Sequence, residues 1–406
     1  MTQRKSQDVF KNILFSLIVL FLFFGITEVS CRAFHYIQVG HDQFYYDWFQ
    51  WARLVGWHEP KPGVINQMGF HNKEISPIKP KGVFRILVLG SSAVYGTEEL
   101  DSSWTYSLEK TLNQNAKGIQ YQVLNGGIPG GSSNEDVKQL RAALELDPDL
   151  VLVYNGFNDS YAMHYSPEGY RNRAPKYGLK GDIKEFKNHL SRVSFAYVSF
   201  AHLLKPINDC IKSQRHKMKP EVQPDPQKSG KIFEHQSSDA PPPTKETAQK
   251  KKILRIWDQE YVYIIGQKQP MIHEFAVVYE KNLMEIHRIL KKRHIPHVFF
   301  LQPNLAYSMV SGKVSPQAEA ILEKSTNILM EDWLEASALL YPEAVKVIEK
   351  LNQEGIPSYD LTGIFYGMED KAFIDSVHQA DGMPKEMIAG KIHEILNTNH
   401  LLAEKN

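Results

Sequence analysis

Residues 84–96 constrain the fold of this chain more than any other segment. They read Phe-Arg-Ile-Leu-Val-Leu-Gly-Ser-Ser-Ala-Val-Tyr-Gly. An apolar run that ends abruptly in Gly-Ser-Ser and continues into a helix-compatible segment is typical of a buried parallel strand followed by a sharp strand-to-helix turn. Such a turn exposes its serine, Ser92, at the carboxyl edge of a sheet, where open α/β folds place their chemistry. Ser92 is therefore a candidate nucleophile.

Four later segments predict further strands. These apolar runs lie at residues 121–125, 150–154, 295–303 and 356–361, and segments with apolar residues at helical spacing separate them. A regular alternation of strand and helix implies a parallel sheet that is covered by helices on both faces. The sequence therefore predicts an α/β fold with a five-stranded parallel sheet.

The second and third predicted strands both end in small or amide-bearing residues. The second runs into residues 126–131, which read Gly-Gly-Ile-Pro-Gly-Gly, and the third opens into residues 155–159, which read Asn-Gly-Phe-Asn-Asp. A glycine loop after a strand lets backbone N–H groups approach a ligand, although such a loop can also serve only to turn the chain. Because three strands in succession end in this way, the sequence predicts a site that is assembled at one edge of the sheet.

A segment near the C-terminus supplies a carboxylate and an imidazole, Asp375 and His378, three residues apart. This spacing lets one short turn direct the carboxylate at a ring nitrogen. A histidine held in this way keeps one tautomer and presents its other nitrogen to a nucleophile. A lone histidine near a carboxylate is usually structural, but the strand-end serine, the glycine loop and Asn158 favour a catalytic role for this pair.

In these four segments the chain resembles the SGNH, or GDSL-type, hydrolases. Their blocks are a Gly-Asp-Ser turn, a glycine loop, a Gly-x-Asn-Asp segment and an Asp-x-x-His segment. Residues 90–92, the loop that Gly130 closes, residues 156–159 and residues 375–378 match these blocks in order. The likeness covers roughly residues 83–396 apart from one insertion. Ser91 departs from it, because Ser91 occupies the place of the family's usual Asp.

The resemblance implies a flavodoxin-like three-layer α/β/α sandwich and the hydrolysis of acyl esters through a covalent intermediate. Ser92 would be the nucleophile, His378 the base and Asp375 the residue that orients it. The backbone N–H groups of Ser92 and Gly130 and the side-chain amide of Asn158 would form the oxyanion hole. No cofactor is implied. No metal-ligand spacing is recognisable either, because scattered surface positions explain four irregularly spaced histidines better than a ligand set does: His35, His41, His58 and His71.

The N-terminus predicts a membrane anchor. Residues 13–26 are almost uninterrupted apolar residues, and roughly 20 helical residues span a bilayer core. The basic residues that precede this run favour a cytoplasmic N-terminus and send the rest of the chain outward. We therefore predict a cytoplasmic tail at 1–8 and a transmembrane signal anchor at 9–29 in the cytoplasmic membrane. The alternative, a cleaved signal peptide, lacks an Ala-x-Ala-like site.

The rest of the chain divides into an aromatic-rich juxtamembrane segment, 30–82, and an SGNH hydrolase domain, 83–400, on the extracytoplasmic side. The aromatic residues between 44 and 57 can lie at the lipid headgroups or pack on the main domain. Residues 215–252 are rich in Pro, Lys, Gln and Ser. Because such a segment cannot bury enough apolar surface to offset the entropy of ordering, a disordered insertion is predicted there.

Composition and location limit the partners. The 47 basic and 46 acidic residues nearly cancel, so no nucleic-acid partner is indicated. An extracytoplasmic site favours a small-molecule or glycan ester, with O-acetyl esters of cell-envelope carbohydrate first and lipid or lysophospholipid esters second. An SGNH-like O-acyltransferase acting on exported polysaccharide stays open. A non-enzymatic alternative, a membrane-tethered glycan-binding module with a decayed site, also stays open. The oligomeric state is not predicted.

Overall fold

The computed structural model describes residues 2–39, 58–114, 116, 118–193, 251–256, 259–310, 316–325 and 330–403. The chain divides into two compact units, Met1–Phe44 with Ile183–Gln249, and Tyr45–Asp182 with Lys250–Asn406. The aromatic residues between 44 and 57 lie outside the described residues. So does most of the predicted disordered insertion, although Lys251 and Lys252, which we assigned to it, belong to a strand.

Among the described residues, the first unit contains the long helix α1 (Thr2–Val39) and the end of a helix that begins at Gly178. Within the described residues, no helix combines the length and the hydropathy that are needed to cross a bilayer. The predicted transmembrane span at residues 9–29 is therefore not supported by the structure.

The second unit is built on a five-stranded parallel sheet, as predicted, and also contains an antiparallel hairpin that the sequence pattern did not indicate. Its strands in chain order are β1 (Val83–Gly90), β2 (Gln120–Gly127), β3 (Leu150–Asn155), β4 (Lys251–Ile256), β5 (Gln259–Ile264), β6 (His297–Leu301) and β7 (Ser358–Asp360). The strand order is β2-β1-β3-β6-β7, and β4 and β5 form the hairpin. With the hairpin left aside, this is a strand order of doubly wound α/β folds.

Helices connect the parallel strands. After α1, the described helices are α2 (Ser92–Tyr95), α3 (Trp104–Gln114), α4 (Ser133–Ala143), α5 (Phe157–Tyr165), α6 (Pro167–Asn172), α7 (Gly178–Val193), α8 (Ile265–Lys292), α9 (Leu305–Val310), α10 (Pro316–Ser325), α11 (Met330–Leu339), α12 (Tyr341–Gln353), α13 (Glu369–Ala372) and α14 (Met383–Thr398).

The two faces of the sheet carry separate apolar cores. Successive residues of a strand point to opposite faces, so Leu87 and Leu89 of β1 lie in one core while Ile86 and Val88 lie in the other. Helices α4, α8 and α12 cover the first face, and α3, α9 and α14 cover the second. The unit thus has three layers, with apolar strands buried on both sides as parallel sheets require.

The register of the sheet brings the carboxyl ends of its first three strands together. Gly90 at the end of β1 lies opposite Gly127 of β2 and Tyr154 of β3. Beyond the ladder, the N–H of Ile128 donates to the carbonyl oxygen of Gly90 at 2.9 Å. A Cβ atom on Gly90 would lie 2.1 Å from the carbonyl oxygen of Tyr154, so only glycine fits where the chain turns towards Ser92.

Candidate active site

Ser92 is the first residue of α2, the single helical turn that follows β1. The carbonyl oxygen of Ser91 accepts the N–H groups of Val94 at 3.0 Å and Tyr95 at 3.1 Å. The Ser91 side chain is buried and forms no capping hydrogen bond with the helix. The backbone carbonyl therefore braces the turn at the position where the chain departs from the family pattern.

The structure brings Ser92, His378 and Asp375 into contact. The Nε2 atom of His378 lies 2.8 Å from the Oγ atom of Ser92, and its Nδ1 atom lies 2.6 Å from Oδ2 of Asp375. The second carboxylate oxygen of Asp375 accepts the backbone N–H groups of Val377 at 2.9 Å and His378 at 2.7 Å. An ionised carboxylate can only accept hydrogen bonds, so the ring carries its hydrogen on Nδ1 and leaves Nε2 free to accept the Ser92 proton.

The electrostatics of Asp375 suit this arrangement. Burial acts to raise the pKa of its carboxyl group, but the hydrogen bond from the His378 ring, electrostatic attraction to that ring and the two backbone N–H groups outweigh burial. The pKa of Asp375 is therefore lower than usual. The carboxylate is ionised at neutral pH and can stabilise an imidazolium beside it.

The three predicted oxyanion donors all follow strand ends at this edge of the sheet. Asn158 lies in the first turn of α5, where its Nδ2 atom donates to the carbonyl oxygen of Gly131 at 2.9 Å. This bond fixes the amide and leaves the second Nδ2 hydrogen for another acceptor. Gly130 lies in an exposed turn, with φ of 72°, that the hydrogen bond from Gly131 N–H to Ile128 closes at 2.7 Å. Their joint action, with Ser92 N–H, on one oxygen stays a prediction.

A cleft of about 230 Å³ opens beside the nucleophile. Ser92, His378 and Lys385 contribute to its walls, together with the small or polar side chains of Thr97 and Gln379. Ser92 and His378 thus line a space into which a small group of a substrate can enter. The described part of the chain contains no group of three or more His, Cys, Asp or Glu side chains that could hold a metal ion.

A buried polar network that we did not predict connects the segments that carry Gly130 and Asn158. The carboxylate of Asp159 accepts hydrogen bonds from the N–H and hydroxyl groups of Ser133 and from the Tyr170 hydroxyl at 2.7 Å. Asn282 of α8 donates to the Ser133 hydroxyl at 2.7 Å. Because Ser133 begins α4 just after the glycine loop and Asp159 follows Asn158, this network holds the two segments in a fixed relation.

The ionisation of Asp159 should make stability depend on pH. Burial raises the pKa of its carboxyl group from 3.8 to about 6, against the hydrogen bonds from Ser133 and Tyr170. Between these values the folded protein holds a proton that the unfolded chain has lost, so the free energy of unfolding falls as pH rises through this window. We expect Asp159→Asn to remove this contribution, which is at most about 1.4 kcal/mol per pH unit.

Urea denaturation of both proteins at several values between pH 4 and 7 measures the difference in slope. The exposed carboxylate of Asp101 offers a matched control, Asp101→Asn. Equal slopes in the wild type and in Asp159→Asn would contradict the raised pKa.

Two of the histidines that we assigned to the surface, His58 and His71, contact Tyr95 in the helical turn that carries Ser92. His71 is 2% exposed, and its ring stacks on the Tyr95 ring with centroids 4.4 Å apart. His58 lies 5.0 Å from the same ring, and its Nε2 atom is 3.1 Å from the carbonyl oxygen of Gly127. Our interpretation of scattered surface histidines was therefore wrong for His71. The side chains of His35 and His41 lie outside the described residues.

Comparison with known proteins adds similar solved structures. No family model and no curated protein matches the chain. A lipase/acylhydrolase from Enterococcus faecalis is 11% identical with a TM-score of 0.33 and covers 80% of this chain and 99% of its own. An acetyl xylan esterase is 12% identical with a TM-score of 0.32, covering 77% of this chain and 98% of its own. A variant of an acetyl xylan esterase from Geobacillus stearothermophilus is 10% identical with a TM-score of 0.29, covering 82% and 100%.

Proposed function

We propose that this protein is an SGNH-type serine ester hydrolase. The proposal rests on the continuous contacts from Asp375 through His378 to Ser92, with distances of 2.6 and 2.8 Å. The same three groups in the same roles activate a serine on several unrelated folds, so they are recognised by geometry. The match of four sequence blocks to the SGNH pattern gives further support, as does the strand order of the sheet.

In the proposed reaction, the Ser92 oxygen forms a bond to the ester carbonyl carbon while His378 Nε2 takes its proton. His378 then gives this proton to the alcohol oxygen as the carbon–oxygen bond breaks, and the acyl group stays on Ser92. Water next loses a proton to His378 as its oxygen attacks the acyl carbon. Return of that proton to Ser92 releases the carboxylic acid and restores the enzyme.

We expect Asn158→Ala to lower kcat by about 100- to 1,000-fold with little change in KM. The side-chain amide would donate to the oxygen that becomes negative, and such a donor acts mainly in the transition state. Steady-state kinetics on a soluble acetyl ester measures both constants. Asn397→Ala is a matched control, because Asn397 is an exposed residue near the end of α14. An unchanged kcat in Asn158→Ala would remove this residue from the oxyanion hole.

For the substrate, we propose O-acetyl esters of cell-envelope carbohydrate. A cleft of about 230 Å³ beside Ser92 has room for a small acyl group. Release of acetate from a model ester without any acceptor supports hydrolysis, and activity only with a glycan acceptor supports the acyltransferase. Hydrolysis of long-chain esters alone favours the lipid substrate. Ser92 that does not react with a fluorophosphonate probe favours the non-enzymatic glycan-binding protein.

We also propose that α1 attaches the protein to the cytoplasmic membrane, with the catalytic unit on the extracytoplasmic side. The proposal rests on the basic residues before the apolar run and on the large apolar side chains from Leu14 to Val29, which are 45–78% exposed. Membrane fractionation tests it. Release of a shortened, soluble protein would contradict the attachment.

A further inference from the structure

Lys385 lies in the wall of the active-site cleft and has no part in the mechanism above. It is in the first turn of α14 and lines the same cleft as Ser92 and His378. Its side chain is only 8% exposed. Lysine is almost never buried to this degree unless its ammonium group has a partner.

The partner of Lys385 leaves the ammonium group able to bind a ligand. The Nζ atom forms an ion pair with the carboxylate of Asp381, whose side chain is 72% exposed. Ion pairs with an exposed member contribute little, because water competes for the charges. An ammonium group has three N–H donors. The bond to Asp381 therefore does not use up its capacity.

Among the described residues that line the cleft, Lys385 is the one with a permanently charged side chain. The polar side chains of Thr97, Ser103 and Gln379 are uncharged, and no Asp or Glu is among the described residues that line the cleft. Asp375, the acidic residue of the catalytic set, is hydrogen-bonded to the His378 ring. A negative group that enters the cleft thus meets no carboxylate among these lining residues, and it competes with Asp381 for the ammonium group of Lys385.

We propose that Lys385 selects ester substrates that carry an anionic oxygen group, such as a carboxylate, close to the bond that is cleaved. This inference rests on the proposed ester hydrolysis and narrows its substrate class. The Lys385 side chain is 8% exposed, so an anion that binds its ammonium group is partly removed from water, where attraction between charges is stronger than in bulk solvent. It also gains a charge-assisted hydrogen bond. The anionic group can belong to the acyl part or to the alcohol part of the ester.

Two pairs of esters distinguish these cases. The first pair is para-nitrophenyl hemisuccinate and para-nitrophenyl acetate, in which the carboxylate is on the acyl side. The second is para-acetoxybenzoate and its methyl ester, in which the carboxylate is on the alcohol side. We expect the wild type to have the higher kcat/KM for the anionic member of one pair. Lys385→Met should lower the anionic-to-neutral ratio of that pair about tenfold or more.

The neutral ester and a second lysine are the controls. Hydrolysis of the neutral ester should change by less than about threefold, the spread expected of single interactions outside the reacting groups. Lys391→Met should leave both ratios unchanged, because Lys391 lies on the same helix but is exposed and pairs with Glu394. Equal losses for the anionic and neutral esters in Lys385→Met would assign the lysine a structural role and overturn the inference.

The wild-type protein alone provides a second test that does not depend on the folding of a variant. If it hydrolyses both pairs without preferring either anionic member, the inference is wrong while the proposed function stands. If it hydrolyses none of these esters, the proposed O-acetyl esterase activity fails, and if hydrolysis survives Ser92→Ala, the proposed serine catalysis fails. The inference fails in either case.

Discussion

Ser92→Ala should lower kcat/KM for any ester that the wild type cleaves by on the order of 10⁴- to 10⁶-fold. In the proposed reaction, the substitution removes the oxygen atom that forms the acyl intermediate. The imidazole of His378, at 2.8 Å from the lost hydroxyl, then has no nucleophile to activate. The fold should be unaffected, because Ser92 is half-buried at the carboxyl edge of the sheet and outside both apolar cores.

The measurement is hydrolysis of a chromogenic acetyl ester, combined with fluorophosphonate labelling and thermal unfolding of both proteins. Ser107→Ala is the matched control, since Ser107 lies on α3 and is not among the residues that line the active-site cleft. Full activity in a folded Ser92→Ala protein would end the proposal of serine catalysis. Loss of labelling with an unchanged Tm would locate the effect in the chemistry.

Much of the fold could be predicted because the parallel strands are continuous apolar runs with clear ends. The run at 150–154, for example, is bounded by Asp-Pro-Asp on one side and by Asn-Gly on the other. It forms β3, which ends one residue later. The location of the candidate site could be predicted from the same signals. Residues that come directly after parallel strands lie at one edge of the sheet, regardless of the path of the connecting loops.

The unpredicted features depend on contacts that no local pattern encodes. The hydroxyl of Ser133 meets Asn282 from 149 positions away, and its N–H meets Asp159 from 26 positions away. Likewise, His71 lies in a segment rich in turns, where periodicity gives no indication of burial. The hairpin of β4 and β5 has no Asn-Gly or Asp-Gly turn signal between its strands, which read Lys-Lys-Ile-Leu-Arg-Ile and Gln-Glu-Tyr-Val-Tyr-Ile.

We expect Gly127→Ala to lower activity by about 100-fold or more and the free energy of unfolding by about 1–3 kcal/mol. Gly127 ends β2 and packs against the turn that carries Ser92. A Cβ atom on it would lie 2.2 Å from the backbone nitrogen of Tyr95 and 2.8 Å from the carbonyl oxygen of Ser91. Both are backbone atoms, so no side-chain rotation can relieve the overlap. The end of β2 or the nucleophile turn must move.

The turn that carries Ser92 should be the part that moves, because several hydrogen bonds hold Gly127 in place. It is paired with Gly90 in the ladder, and its N–H donates to Oδ1 of Asn125 at 3.0 Å. A displacement of Ser92 by even part of an ångström lengthens its contact with His378, and misplacement of a reacting group by about 1 Å can cost about 100-fold in rate. Gly127 would then control the alignment of Ser92 with His378 without contacting the substrate.

Gly390→Ala is the matched control, because Gly390 is exposed on α14 and a Cβ atom there has no neighbour within 4 Å. Since alanine favours a helix over glycine, this variant should be more stable by up to about 1 kcal/mol and equally active. Kinetics and urea denaturation of both variants measure the two effects separately. A Gly127→Ala protein with wild-type activity would show that the turn keeps Ser92 against His378 without close packing on β2.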